Sequence, residues 1–189
     1  PIYVLHGESE IFALLLTAFS LGIGVGSLMC ERLSGRIVQL GLVPLGAIGL
    51  SAFSIDLYLA SSMTMPATLS AADLMLGEHF RIFMDCLLIG LFGGLYVVPL
   101  FALIQTRGER THLSRIIGGM NILNALFMVM AALTAMLLLS VGLSVVEIFA
   151  LTGIANAVLL ILLCLSQPEY ARAFFTWLIG LVKKRPLVE

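Results

Sequence analysis

Charged residues are scarce in this sequence, and their scarcity excludes a domain folded in water. Of the 189 residues, 11% are charged and 60% are hydrophobic, whereas soluble domains carry about 25% charged residues. Side chains this apolar would cover the surface of a soluble domain as well as its core. The composition therefore predicts an all-α integral membrane protein, with the lipid bilayer as its solvent.

Motifs for catalysis, metal binding and nucleotide binding are also lacking. The three cysteines, Cys30, Cys86 and Cys164, show neither C-x-x-C nor metal-ligand spacing, which indicates packing residues. The sequence contains no evident Ser-His-Asp arrangement, metal cluster or phosphate-binding loop. We therefore expect no catalytic residue, no metal, no cofactor and no nucleic-acid partner in this chain, and we assign it no enzymatic activity.

Long apolar runs are what the sequence does have, and five of them reach the roughly 20 residues that a spanning helix needs. They are Ile11–Cys30, Ile37–Tyr58, Ile82–Ile104, Ile116–Leu139 and Leu143–Ser166. Each is apolar all round, as expected for a helix that meets lipid or another helix on every face. The sequence thus predicts five transmembrane helices.

The basic residues predict the orientation of these helices. If the five helices alternate in direction, nine of the ten lysines and arginines lie on one side, and Arg81 alone lies near the other. Basic residues favour the cytoplasmic side of a membrane. We therefore expect the N-terminal end of the chain outside and its C-terminus in the cytoplasm.

Two segments outside the spans have a pattern of their own. The longest outer connection, Ala60–Phe80, turns semi-apolar over Leu69–Leu76 and suggests a short helix on the outer surface. The tail, residues 168–189, begins with a proline and places aromatic residues before a basic cluster. This pattern indicates an amphipathic helix at the inner membrane interface, or a linker to a following domain.

The short turn between the first two spans, in the stretch "GSLMCERLSGR", gathers Glu31, Arg32, Gly35 and Arg36. It resembles the signature loop of the major facilitator superfamily, small-x-x-x-acid-Arg-x-Gly-Arg, with Glu in place of Asp and one residue inserted before the glycine. The resemblance implies a conformational gate, in which the carboxylate pairs with an arginine in one state and releases it in the other. The alternative is a turn that only fixes topology.

Two longer runs, "LLLTAFSLGIGVGSLMCERLSG…VQLGLVPLGAIGLSAFSIDLYLA" and "GGLYVVPLFALIQTR", resemble the lysophospholipid transporter branch of that superfamily. The resemblance implies that the spans are helices 8–12, so that residues 1–167 form the C-terminal half without its first helix. It also implies alternating-access transport of lysophospholipid, which we expect to be lysophosphatidylethanolamine, across a bacterial inner membrane. The N-terminal end would then be periplasmic.

The same resemblance implies two protein partners, the N-terminal half of the transporter and a fused or separate acyltransferase that re-acylates the lipid. Two other functions are compatible with the sequence. One is a membrane anchor for a fused lysophospholipid acyltransferase, which a downstream His-x4-Asp motif would favour. The other is an exporter of the same superfamily with a different substrate.

Ionisable residues within the spans are the best functional clues, because they are costly to hold in a membrane. Asp56, Arg81, Asp85 and Glu147 all fall near the outer ends of their helices. Asp56, Arg81 and Asp85 form a candidate substrate vestibule, in which Arg81 faces the phosphate of a zwitterionic head group and an acid faces its amine. The alternative places all four at the water interface, with Arg81 and Asp85 as a local pair.

Small and polar residues within the spans predict contacts between helices. Gly22 and Gly26 have the G-x-x-x-G spacing of closely packed transmembrane helices, and we interpret Gly90, Gly93 and Gly94 in the same way. Three uncharged polar residues, Asn121, Asn124 and Asn156, are expected to form interhelical hydrogen bonds or to line a path.

Overall fold

The computed structural model describes residues 2–34, 39–63, 74, 77, 79–109 and 111–183. Over these residues the chain forms six helices and no strand, which confirms the all-α prediction. The helices are α1 (Ile2–Ser34), α2 (Leu42–Met63), α3 (Phe80–Arg107), α4 (Leu113–Ser140), α5 (Val145–Ser166) and α6 (Pro168–Lys183).

Helices α1 to α5 each contain a segment that is long and apolar enough to cross a membrane. These segments correspond to the five predicted spans. Many of their large apolar side chains are exposed, among them Phe12, Leu21 and Phe127. A soluble protein rarely exposes so much apolar surface, whereas lipid covers it without cost. The chain therefore has the architecture of a multi-pass membrane protein.

We name the two ends of the bundle by their position relative to the charged turn, which is the turn after α1 that carries Glu31, Arg32, Gly35 and Arg36. The turn end is where α1 and α3 finish, at Ser34 and Arg107, and where α2 begins. The far end is where α2 finishes and α3 begins. α3 lies between α1 and α2, and α2 contacts α5 on its other side. No described residue of α4 is buried, since α4 has little contact with the other helices.

Glycines allow α1 and α3 to pack backbone to backbone. A Cβ atom on Gly22 would lie 2.0 Å from the carbonyl oxygen of Leu87, and one on Gly90 would lie 2.2 Å from that of Phe19. Gly26 and Gly94 approach the opposite helix in the same way. The predicted close packing is confirmed for these four residues. It is wrong for Gly93, where a Cβ atom would have only Leu50 within 4 Å and would border a cavity.

Glu147 is explained by local structure. Its carboxylate accepts hydrogen bonds from the backbone N–H and the hydroxyl of Ser144, both at 2.7 Å. Ser144 in turn accepts a hydrogen bond from the Glu147 N–H at 3.3 Å, which completes a capping box at the start of α5. Glu147 therefore has a structural role at a helix end, as its position near the interface suggested.

The asparagines differ in their surroundings. Asn156 of α5 donates to the carbonyl oxygen of Ala47 at 2.8 Å and to the hydroxyl of Ser51 at 2.9 Å, both on α2, so the predicted interhelical hydrogen bond is confirmed. Asn121 and Asn124 lie on the exposed surface of α4 and form no interhelical hydrogen bond with the described residues, so their role in lining a path stays a prediction.

The two predicted segments outside the spans have different outcomes. The tail forms a helix, α6, over Pro168–Lys183, while its placement at the membrane interface and the alternative of a linker stay predictions. The predicted surface helix at Leu69–Leu76 lies outside the described residues, except for Leu74, which is helical and fully buried. Leu74 packs at the far end with Leu57 and Ile82, so that the connection between α2 and α3 contributes to the core.

Candidate functional site

The predicted vestibule residues come together at the far end, between α2 and α3. The Nε of Arg81 donates to Oδ2 of Asp56 at 3.1 Å, and its Nη2 donates to Oδ1 of the same carboxylate. The predicted local pair of Arg81 with Asp85 is therefore wrong. The Arg81 guanidinium pairs instead with Asp56 on the neighbouring helix α2. A planar guanidinium matches the two oxygens of one carboxylate, and this geometry favours the bidentate contact.

Asp85 is the most unusual residue of this charged cluster, which consists of Asp56, Arg81 and Asp85. It is 2% exposed, and its Oδ2 has no hydrogen-bond partner among the described residues. Its carboxyl group lies beside that of Asp56. The interpretation of all four ionisable residues as interface groups is therefore wrong for Asp85. Exposure is 56% for the Arg81 side chain and 32% for that of Asp56.

The charged cluster has an excess of acid over base. One guanidinium faces two carboxyl groups, and it already pairs with Asp56. A buried carboxyl oxygen without a hydrogen-bond partner is destabilising, and ionisable residues inside a membrane protein commonly serve a function. Arg81 has more N–H donors than Asp56 accepts from, so it can also bind an anion. The cluster can thus offer a cation to a phosphate and an acid to an amine.

An apolar cavity of about 490 Å³ lies deeper in the bundle, between α1, α2, α3 and α5. Its wall includes Phe19, Leu50, Ile89 and Phe149, one from each of these helices. Gly93 also borders it, with open space at its Cβ position. Ile89 follows Asp85 by one turn of α3, so the cavity begins about 6 Å below the charged cluster.

The charged turn is described only in part. Glu31 and Arg32 lie in the last turn of α1 with exposed side chains, and neither forms a salt bridge with another described residue. Gly35 and Arg36 lie outside the described residues. The predicted gate therefore stays a prediction.

Helix α6 packs against the turn end of the bundle, which the sequence pattern did not predict. Trp177 packs on a small core that contains Cys30, Leu42 and Leu95, and its indole N–H donates to the carbonyl oxygen of Leu33 at 3.4 Å. The aromatic residues had indicated a helix at the membrane interface. The amphipathic pattern of α6 was the signal from which this packing could have been predicted, because an apolar helix face can be covered by protein as well as by lipid.

The neighbourhood of Trp177 contains two further contacts of α6. A Cβ atom on Gly41, just before α2, would lie 2.7 Å from the carbonyl oxygen of Ala173. Arg107 at the end of α3 pairs with Glu169 at 3.7 Å. Helix α6 is thus held at the ends of three other helices.

Comparison with known proteins adds no family assignment. No family model, curated protein or solved structure matches the chain. The multi-pass helical architecture rests on the structure, while membership of the major facilitator superfamily stays a prediction from the sequence.

Proposed function

We propose that this chain is the C-terminal half of a major facilitator-type transporter that moves lysophospholipid, specifically lysophosphatidylethanolamine, across a bacterial inner membrane. The observation that carries the proposal is the charged cluster of Asp56, Arg81 and Asp85 about one helical turn from an apolar cavity between the spanning helices. A lysophospholipid has the same layout, with a zwitterionic head and one apolar chain.

In this proposal the head group binds at the far end of the bundle. Its phosphate accepts hydrogen bonds from the N–H groups of Arg81 that do not donate to Asp56. Its ammonium group approaches the carboxyl groups of Asp56 and Asp85. The excess acid of the cluster is then matched by the cation of the substrate. An anionic lysophospholipid without an amine leaves that acid unmatched, so it is the poorer substrate.

Transport in this proposal follows alternating access, with two halves rocking about a shared site. This chain supplies one half, and the N-terminal half of the transporter supplies the other. The turn of Glu31, Arg32, Gly35 and Arg36 gates the cytoplasmic side. The lipid delivered to the inner leaflet is then re-acylated by a fused or separate acyltransferase.

The test is uptake by the full-length protein in spheroplasts that lack their own lysophospholipid importer. Labelled lysophosphatidylethanolamine and lysophosphatidylglycerol are supplied separately, and their appearance as diacyl lipid is followed. Asp85→Asn is expected to lower uptake of the ethanolamine lipid relative to the glycerol lipid, at unchanged expression. Glu10→Gln removes an exposed carboxylate of α1 that lies toward the far end but outside the charged cluster, and it serves as the control.

Each result has a distinct meaning. A change in the ratio of the two lipids supports the head-group site, because a purely structural role of Asp85 would lower both equally. Equal loss of both would contradict the site but leave lipid transport in place. If cells with the wild-type protein import neither lipid, the proposed function is overturned. Retained acyltransferase activity in those cells would favour the membrane anchor.

A further inference from the structure

We infer that the cavity between α1, α2, α3 and α5 holds the hydrocarbon chain of the lipid whose head group binds at the charged cluster. The inference rests on the proposed function and specifies where the apolar part of the substrate lies. Four properties of the cavity support it, namely its size, its polarity, its position and its opening.

The size of the cavity suits a chain rather than a helix. Its volume is about 490 Å³, within the range of roughly 300–1,000 Å³ that is typical of ligand sites. A helix that crosses a membrane is about 30 Å long, which is longer than this cavity. Along α3 the cavity runs from Ile89 to Val98, which is about 14 Å at the helical rise.

The polarity of the cavity excludes occupants that need many hydrogen bonds. Its wall is mostly apolar, and the hydroxyls of Ser27 and Thr152 donate to carbonyl groups of their own helices, both at 2.8 Å. Asn156 directs its amide to α2. The hydroxyl of Ser54 and the side-chain oxygen of Asn156 are the polar groups of the described wall that stay available. A sugar or a peptide would lose its hydrogen bonds to water here without replacing them, whereas a hydrocarbon chain has none to lose.

The position of the cavity links it to the charged cluster on two helices. Ile89 lies one turn below Asp85 on α3, and Ser54 lies two residues from Asp56 on α2. A head group at the charged cluster therefore lies within about one helical turn of the cavity wall. Ile23 and Val97, which line the cavity, are partly exposed, so the cavity is open on the side formed by α1 and α3.

Gly93 offers a way to fill the cavity with little disturbance of helix packing. Its nearest neighbour in the direction of a Cβ atom is Leu50, at 3.9 Å. Gly93→Trp is therefore expected to occupy the space that the chain needs. Gly24→Trp is the matched control, because Gly24 also lies in a spanning helix and has nothing within 4 Å of its Cβ position, but does not border the cavity.

The first measurement is uptake of long-chain lysophosphatidylethanolamine by the full-length protein, compared with a short-chain analogue. Gly93→Trp is expected to lower uptake of the long-chain lipid about tenfold, equivalent to about 1.4 kcal/mol, and to affect the short-chain analogue less. Gly24→Trp is expected to leave both unchanged. Equal effects of the two substitutions, or equal loss of both lipids at normal expression, would overturn the inference.

The second measurement does not depend on transport or on the folding of a variant. A lysophosphatidylethanolamine with a diazirine in mid-chain is irradiated with the wild-type protein, and the labelled peptides are identified by mass spectrometry. Labelling is expected on α3 between Ile89 and Val98 and on α5 between Phe149 and Asn156. Labelling confined to α4, or spread evenly over all lipid-facing helices, would contradict the inference.

The two proposals fail in different ways. If wild-type cells take up the lipid but the label avoids the cavity, the chain site is wrong and the proposed function stands. If wild-type cells take up no lipid and the label still marks the cavity, the proposed transport is wrong and a lipid-chain site stands. If neither uptake nor labelling occurs, both are wrong.

Discussion

The indole N–H of Trp177 on α6 donates to the backbone carbonyl of Leu33 on α1, with 3.4 Å between the nitrogen and the oxygen. Leu33 lies in the last turn of α1, where backbone carbonyl groups have no partner within the helix. The contact therefore satisfies an acceptor next to Glu31 and Arg32. It makes α6 a structural part of the bundle at the end where the candidate gate lies.

Substitutions of Trp177 should separate its hydrogen bond from its packing. Trp177→Phe removes the N–H and is expected to cost about 1 kcal/mol, whereas Trp177→Ala also leaves a void and should cost about 2 kcal/mol, since the side chain is only partly buried. Thermal unfolding in detergent micelles measures both. Phe175→Ala on the exposed face of the same helix is the control. Equal stability of Trp177→Ala and Phe175→Ala would show that α6 is not docked.

Close packing of α1 on α3 predicts opposite effects at two neighbouring glycines. At Gly22 a Cβ atom meets the carbonyl oxygen of Leu87 at 2.0 Å, so Gly22→Ala forces the two backbones apart and should cost about 2 kcal/mol. At Gly24 a Cβ atom meets nothing, so Gly24→Ala should be neutral or stabilise the protein by up to about 1 kcal/mol. The unfolding midpoints of the two variants give the comparison. Similar losses at both positions would argue against the packing.

Some of this structure is predictable from sequence because it depends on one segment at a time. A spanning helix is visible in the length of an apolar run, and the spacing of Gly22 and Gly26 indicates a close contact whatever the partner. The ion pair of Arg81 with Asp56 was missed because it joins two helices, and sequence spacing favoured Asp85. The docking of α6 was missed for a similar reason, since an amphipathic pattern does not say what covers the apolar face.

Asn156 should contribute to stability, whereas Asn121 should not. Asn156→Leu removes the hydrogen bonds to Ala47 and Ser51 and is expected to cost about 0.6 kcal/mol, and at most about 1.7. Asn121→Leu, on the exposed surface of α4, should leave the chain unchanged or slightly more stable in micelles. Chemical unfolding of the two variants tests this difference. A larger loss for Asn121 would mean that α4 has polar contacts beyond those described.

Two arginines of α3 allow stability to be separated from transport. Arg81 pairs with Asp56 and Arg107 pairs with Glu169, and their side chains are 56% and 60% exposed. Because both pairs are partly exposed, Arg81→Gln and Arg107→Gln should each change stability little. Only Arg81→Gln should lower lysophosphatidylethanolamine uptake, by about tenfold, or about 1.4 kcal/mol. Equal uptake by the two variants would remove Arg81 from the head-group site.

The charged turn can be tested as a gate by changing its geometry while keeping its charge. Arg32→Lys preserves a basic residue, so a turn that only fixes topology should tolerate it. A gate that pairs a carboxylate with a guanidinium should not, because lysine lacks the planar fork. We expect Arg32→Lys and Glu31→Ala to lower uptake at unchanged stability, since neither native side chain forms a salt bridge with a described residue. Glu109→Ala, at an acid 75% exposed near the same end, is the control. Normal uptake by Arg32→Lys and Glu31→Ala would leave the turn as a topology signal.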